Sequence, residues 1–171
     1  MSLSAARPLA PWRWIGLPIL WCMAATLVFA LPIRVFGLQP PEPVFAMAPA
    51  FAWAVIRPSM LAPAALFFVG LFMDLLWGSP LGLWSLSLLA AYGLTLGARS
   101  VLVGQSRGVM WAWYAAACAL AELCGYLFTM LDVQAAASPV SMGWQVLATI
   151  LLYPFADRLI DRFEDADVRF R

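Results

Sequence analysis

The chain has 171 residues, 64% of them hydrophobic and only 11% charged, with a formal net charge of +1. A water-soluble domain of this length has no interior large enough for so much apolar surface, so lipid is the expected solvent. The near-zero charge excludes a basic field for nucleic acid, and the absence of histidine removes the usual general base and the commonest metal ligand.

The length fits one membrane domain covering residues 1–171. Six apolar runs follow in order: 14–36, 44–56, 59–77, 80–98, 108–131 and 140–160. The first is too long for a cleavable signal and lacks a small-residue cleavage site, so it reads as a span. The second is short, carries Pro49 and follows Gln39-Pro40-Pro41-Glu42-Pro43, where proline prevents a regular helix. At 1.5 Å per residue it covers roughly 20 Å, which fits a thin, kinked span or a re-entrant segment. The other five meet the requirement of about 20 residues for crossing a bilayer.

Arginine placement selects between those alternatives. With six spans and a cytoplasmic N-terminus, Arg7, Arg13, Arg57, Arg99, Arg107, Arg158, Arg162, Arg169 and Arg171 lie inside and only Arg34 outside. Removing the second span destroys that bias. The expected fold is therefore an all-α, six-helix transmembrane bundle with both termini cytoplasmic and a cytoplasmic tail over 161–171. Tryptophans fall near both faces, with Trp12, Trp14, Trp53, Trp111 and Trp113 at cytoplasmic ends and Trp77, Trp84 and Trp144 at external ends, as an aromatic belt requires. Trp21 lies deeper. No internal repeat supports an inverted-repeat transporter.

Two acids fall within spans, Asp74 and Glu122, each some fourteen or fifteen residues from the cytoplasmic start of its helix and therefore at a matched depth of roughly 21 Å. Such charges are costly and usually face the bundle interior. A functional role places them in a polar pocket open to the outside, with Arg34 as counter-ion. A structural role has Asp74 accepting the free amides of the fourth helix, with Ser79 as its N-cap and Pro80 at its first position. Glu122 has no local cap to serve and shares a face with Cys118 and Tyr126, where it is either a hydrogen-bonded carboxyl within the bundle or a working site.

Gly70, Gly78 and Gly82 flank the hairpin between the third and fourth spans, and Gly93 and Gly97 form a GxxxG in the fourth. Such spacing lets helices approach closely. Packing within the chain is the simpler role, and docking of a partner's single span is the alternative. The alternating charges from Asp157 to Arg171 predict a helix running out of the last span. Cys22, Cys118 and Cys124 sit in apolar runs at spacings that form no CxxC, and read as packing residues. No nucleophile–base pair, phosphate loop or metal motif is present, so neither catalysis nor a cofactor is expected.

Arg57-Pro58, followed by Gly70-Leu71-Phe72-Met73-Asp74-Leu75-Leu76-Trp77-Gly78-Ser79-Pro80-Leu81-Gly82, resembles the rod shape-determining MreD family. That family has an Arg-Pro entering the third span and a Gly-Leu-x-x-Asp-Leu-Leu-x-Gly-x-Pro-Leu-Gly run across the next hairpin. Tyr92 and Pro154 also fit, and the six-span layout matches over nearly the whole chain. The resemblance implies a non-catalytic scaffold of the bacterial cell-elongation machinery in the inner membrane. Its implied partners are an MreC-like protein with a single span and a periplasmic domain, the actin-like MreB filament, and the glycan polymerase–transpeptidase pair. It also implies a fold like the substrate-binding subunits of energy-coupling-factor vitamin transporters, which leaves a small-molecule-binding subunit as the alternative. Against that alternative, the first span lacks an Ala-xxx-Ala pattern, which occurs instead as Ala48–Ala52 and Ala50–Ala54.

The arginine asymmetry predicts that reporters active only outside the cytoplasm are silent when fused at Arg171 and active when fused at Glu42 or Asp132. An active fusion at Arg171 overturns the six-span count.

Overall fold

The computed structural model describes residues 12–31, 42–56, 59–133 and 138–168. Within them the chain is all helical. A π-helical turn, Trp12–Gly16, leads into α1 (Leu17–Phe29), followed by α2 (Met47–Ile56), α3 (Leu61–Trp77), α4 (Leu83–Leu102), α5 (Arg107–Val133), α6 (Pro139–Ile150) and α7 (Tyr153–Val168). These match the six apolar runs, the sixth being broken into α6 and α7 at Leu151–Leu152. Pro154 lies just past the break and has no amide to donate to the preceding turn. Three helical stretches, Leu83–Leu102, Arg107–Leu131 and Pro139–Asp161, are long and apolar enough to cross a membrane.

Helix α2 occupies the centre. Every residue from Met47 to Val55 is buried, and the helix packs chiefly against α4 and α7. A helix apolar on all sides has no solvent face and is found enclosed. Alanine at positions 48, 50, 52 and 54 keeps it thin enough to be surrounded closely. Pro49 sits in its first turn, where a missing amide costs no helical hydrogen bond.

Enclosure leaves the ends of α2 without water, and side chains from distant helices satisfy them. Arg99 of α4 donates from Nε to the Val55 carbonyl (2.8 Å) and from Nη2 to that of Ile56 (3.2 Å). A cation at a helix C-terminus is also favoured by the helix dipole. Upstream, the buried Val44 amide donates to Thr149 Oγ1 at 3.0 Å. That hydroxyl donates to the Gln145 carbonyl, and the Thr149 carbonyl accepts from the Tyr114 hydroxyl at 3.1 Å. Thr149 therefore ties α5 and α6 to the chain leading into α2. Trp53 donates its indole N–H to the Trp14 carbonyl (3.1 Å) and is only 1% exposed. Its expected place in an aromatic belt is thus corrected: it is a core residue bonded to the π-helical turn. Trp84 is likewise buried, packed edge-on against Trp77.

The outer faces are apolar. Trp21 and Leu20 of α1, Phe68 and Leu75 of α3, Val101 of α4, Leu127 of α5 and Trp144 of α6 are all exposed. At the far end of the bundle from the α3–α4 hairpin, Arg107 at the start of α5 pairs with Asp157 and Asp161 of α7 at 3.6 and 3.3 Å. The acidic side chains there also face the positive end of the α5 dipole.

Gly70 and Gly93 make opposite predictions. A Cβ on Gly70 meets the Ser85 backbone at 2.4 Å, whereas one on Gly93 meets nothing within 4 Å. Gly70→Ala is expected to lower stability in detergent by about 1–3 kcal/mol through overpacking. Gly93→Ala is expected to leave the melting temperature unchanged or slightly raised. Equal melting of the two variants refutes the close approach of α3 to α4.

Candidate functional site

The α3–α4 hairpin is organised around Asp74, which is 1% exposed. Helix α3 ends where Gly78 takes a left-handed conformation (φ 64°), its amide and that of Ser79 donating back to the Asp74 carbonyl. Glycine adopts this conformation without the strain a side chain brings, and closes the helix. The chain turns through Pro80, whose carbonyl accepts from the Leu83 amide, and reaches Gly82 at φ 96°. Helix α4 then begins at Leu83, with Gly82 at the N-cap. The expected start, with Ser79 as N-cap and Pro80 at the first helical position, lies three residues too early. The tight turn occupies those residues, and left-handed backbone at Gly82 delays the helix.

The Asp74 side chain fills the turn. Oδ1 accepts from the Ser79 hydroxyl (2.9 Å) and the Trp84 amide (3.0 Å), and Oδ2 accepts from the Gly82 amide (2.8 Å). The carboxyl therefore joins the last turn of α3 to the first turn of α4, whose free amides and dipole favour an acceptor. Gly70, one turn earlier, lets α3 approach Ser85 so closely that the serine hydroxyl donates to the Phe67 carbonyl at 2.9 Å. Gly70, Asp74, Gly78, Pro80 and Gly82 are thus brought together as one closed unit. Arg57 and Pro58, and the suggested counter-ion Arg34, lie outside the described residues.

Glu122 stands apart from this unit. It is 5% exposed on α5, and its Oε1 has no hydrogen-bond partner among the described residues. Ser87 Oγ of α4 and Trp77 Nε1 of α3 are also buried without partners. The hydrogen-bond partners of Asp74 all belong to the hairpin, and Glu122 is not among them. No group of metal-binding side chains occurs among the described residues, and the three cysteines are free.

Gly93 and Gly97 are exposed on α4, and neither has an atom within 4 Å of an added Cβ. The expectation that the GxxxG serves packing within the chain is therefore corrected. On α4, Tyr92 and Thr95 turn into the core, and the two glycines fall on the outward side. The residues that sequence reasoning missed are Arg99 and Thr149. One reads as a loop-flanking charge and the other as an ordinary polar residue in a span. Their roles depend on which distant backbone atoms they meet.

Comparison with family models, with curated proteins and with solved structures finds no match to the chain.

Asp74→Leu strips acceptors from the Gly82 and Trp84 amides and the Ser79 hydroxyl, each worth about 1–3 kcal/mol when left buried and unpaired. Asp74→Asn keeps Oδ1 for Ser79 and Trp84 but turns an amide donor toward the Gly82 N–H. Thermal unfolding in detergent should therefore rank wild type above Asn and Asn well above Leu. A leucine variant as stable as wild type removes Asp74 from its structural role.

Proposed function

We propose that the chain is a polytopic inner-membrane protein in which all six helical runs cross the bilayer, with both termini in the cytoplasm. The three long apolar stretches and the outward apolar faces support a lipid-solvated exterior. The short α2 is compatible with a crossing because the non-helical chain leading into it is buried in protein and hydrogen-bonded by Thr149. Irregular backbone at membrane depth is tolerated in such surroundings.

More particularly, we propose a non-catalytic scaffold of the MreD kind, serving the bacterial cell-elongation complex and peptidoglycan synthesis. It pairs with an MreC-like single-span protein and works beside the MreB filament and the glycan polymerase–transpeptidase pair. The observation that carries this proposal is the outward GxxxG on α4. Helices associate in lipid through close packing at small residues, because apolar contact alone has no advantage over lipid. Here two such residues face away from their own bundle. The hairpin supports the same assignment: the residues that resemble the family motif close on one another and leave no Asp74 oxygen free for a substrate. The buried, unpartnered atoms of Ser87 and Glu122 are the feature that favours the alternative, a small-molecule-binding transporter subunit. They offer few polar contacts for a vitamin-sized ligand.

Gly93→Leu and Gly97→Leu are expected to abolish copurification with the single-span elongation partner while leaving the melting temperature of the isolated protein within a few degrees of wild type. Loss of stability along with binding assigns the glycines to internal packing. Saturable, specific uptake of a small molecule by vesicles containing the wild-type protein overturns the scaffold assignment.

A further inference from the structure

The tip of the α3–α4 hairpin is apolar, whereas a loop standing in water is polar. Along α3 the exposed residues Leu61, Ala64, Phe68 and Leu75 lie at helical spacing on one outward stripe. The stripe runs on into the turn, where the exposed residues are Gly78 and Leu81, the latter 73% exposed. The polar side chains of the turn point inward: Asp74 is buried, and the Ser79 hydroxyl donates to it. Trp77 is half-buried and packs edge-on against the buried Trp84, with its indole nitrogen buried as well. The amides of Gly78 and Ser79 donate to the Asp74 carbonyl, and those of Gly82 and Trp84 to its carboxyl. The connection at the other end of α4 is built differently. There Gly104, Gln105, Ser106 and Arg107 are all exposed, as in a solvated loop.

Length points the same way. Helix α3 has 17 residues between Met60 and the left-handed Gly78, about 25 Å of helix. On α4, Leu83 and the first charged residue, Arg99, are separated by about 24 Å. The hydrocarbon core of a bilayer is about 30 Å thick, so a hairpin whose other ends sit at the cytoplasmic surface stops about 5 Å short of the opposite one. Tilt shortens its reach further. Irregular backbone facing lipid is excluded from the hydrocarbon when its polar groups lack partners. Here Asp74, through its carbonyl and carboxyl, takes up four amides and one hydroxyl. The remaining carbonyls of the turn set the limit of its depth, the glycerol level, where headgroups and water supply donors.

We propose that the α3–α4 hairpin ends inside the leaflet away from the cytoplasm, with its turn at the acyl–glycerol boundary and Leu81 among the acyl chains. This rests on the six-span topology proposed above. The occupant of the apolar tip is phospholipid, because the tip continues the lipid-facing stripe of α3 and offers no exposed polar side chain to a partner in water. The Trp77–Trp84 pair beside the turn lies at the level that amphipathic rings favour. A soluble periplasmic domain therefore meets the bundle elsewhere.

Spin labels report the depth. They are placed singly by Leu81→Cys, Phe68→Cys and Gln105→Cys in reconstituted protein that carries Cys124→Ser, the other cysteines, Cys22 and Cys118, being buried. The label at position 81 is expected to relax more with oxygen, which concentrates among acyl chains, than with a water-soluble nickel chelate. Position 68 should behave alike and position 105 in reverse. A label at 81 that behaves like the one at 105, while 68 stays lipid-like, overturns the proposal and leaves the topology standing. If 68 also favours nickel, α3 is not in lipid and the topology falls with the proposal. A label at 81 shielded from both reagents places a second chain over the tip and overturns lipid as its occupant. Hydroxyl-radical footprinting of the wild-type protein in vesicles needs no substitution. Leu81 and Val103 are both aliphatic and exposed, at 73% and 61%. Oxidation is expected at Val103 and absent at Leu81, and equal oxidation of the two overturns the proposal.

Discussion

The structure depends on enclosing one short helix. Helix α2 has ten residues, about 15 Å of helix, too little to span a bilayer core alone. Buried on every side, it has no water to satisfy the carbonyls at its C-terminus or the amides of the chain that enters it. The surrounding helices supply those partners: Arg99 at one end, Thr149 at the other, and the Trp14 carbonyl for the indole of Trp53. Each contact joins residues far apart in sequence, so the same bonds that satisfy α2 also set the positions of α4, α6 and the start of α1. A neutral substitution at Arg99 would therefore disturb the packing of α2 and α4 together, through carbonyls left unpaired in a dry interior.

The α3–α4 hairpin solves a different problem by local means. Two helices must reverse direction with little chain, and each contributes unsatisfied backbone groups at the turn. Glycines at 78 and 82 supply the left-handed backbone, and the Asp74 carboxyl gathers the remaining donors. The outcome is a corner in which both Asp74 carboxylate oxygens are engaged. Glu122 has a similar depth and chemistry but no such local turn to serve. Two acids that look equivalent in the sequence therefore have different standing: Asp74 completes a backbone, and Glu122 Oε1 is buried without a hydrogen-bond partner among the described residues.

The exterior completes the physical picture. Large apolar side chains cover many of the outward helix faces, and the exposed Gly93 and Gly97 on α4 interrupt that cover. Asp157 and Asp161 of α7, paired with Arg107, lie at the opposite end from the hairpin, where the Tyr153 hydroxyl donates to Asp157.

Much of this was legible in the sequence. Six apolar runs became six helical runs, because the length and apolarity of a segment are local properties and lipid or protein burial both reward them. The importance of Gly70, Asp74, Gly78, Pro80 and Gly82 was visible too, since a turn is built by residues close together in the chain. The start of α4 was not, because the handedness of the backbone at Gly82 is decided by the contacts of the turn as a whole. Only the tertiary structure decided that Trp53 lies in the core, that Gly93 and Gly97 face outward, and that Arg99 and Thr149 complete α2. Those facts turn on how each helix is rotated about its axis and which helix becomes its neighbour. A helix apolar all round carries no stripe to specify that rotation, so the composition that announces a lipid-solvated bundle also conceals how its members are arranged.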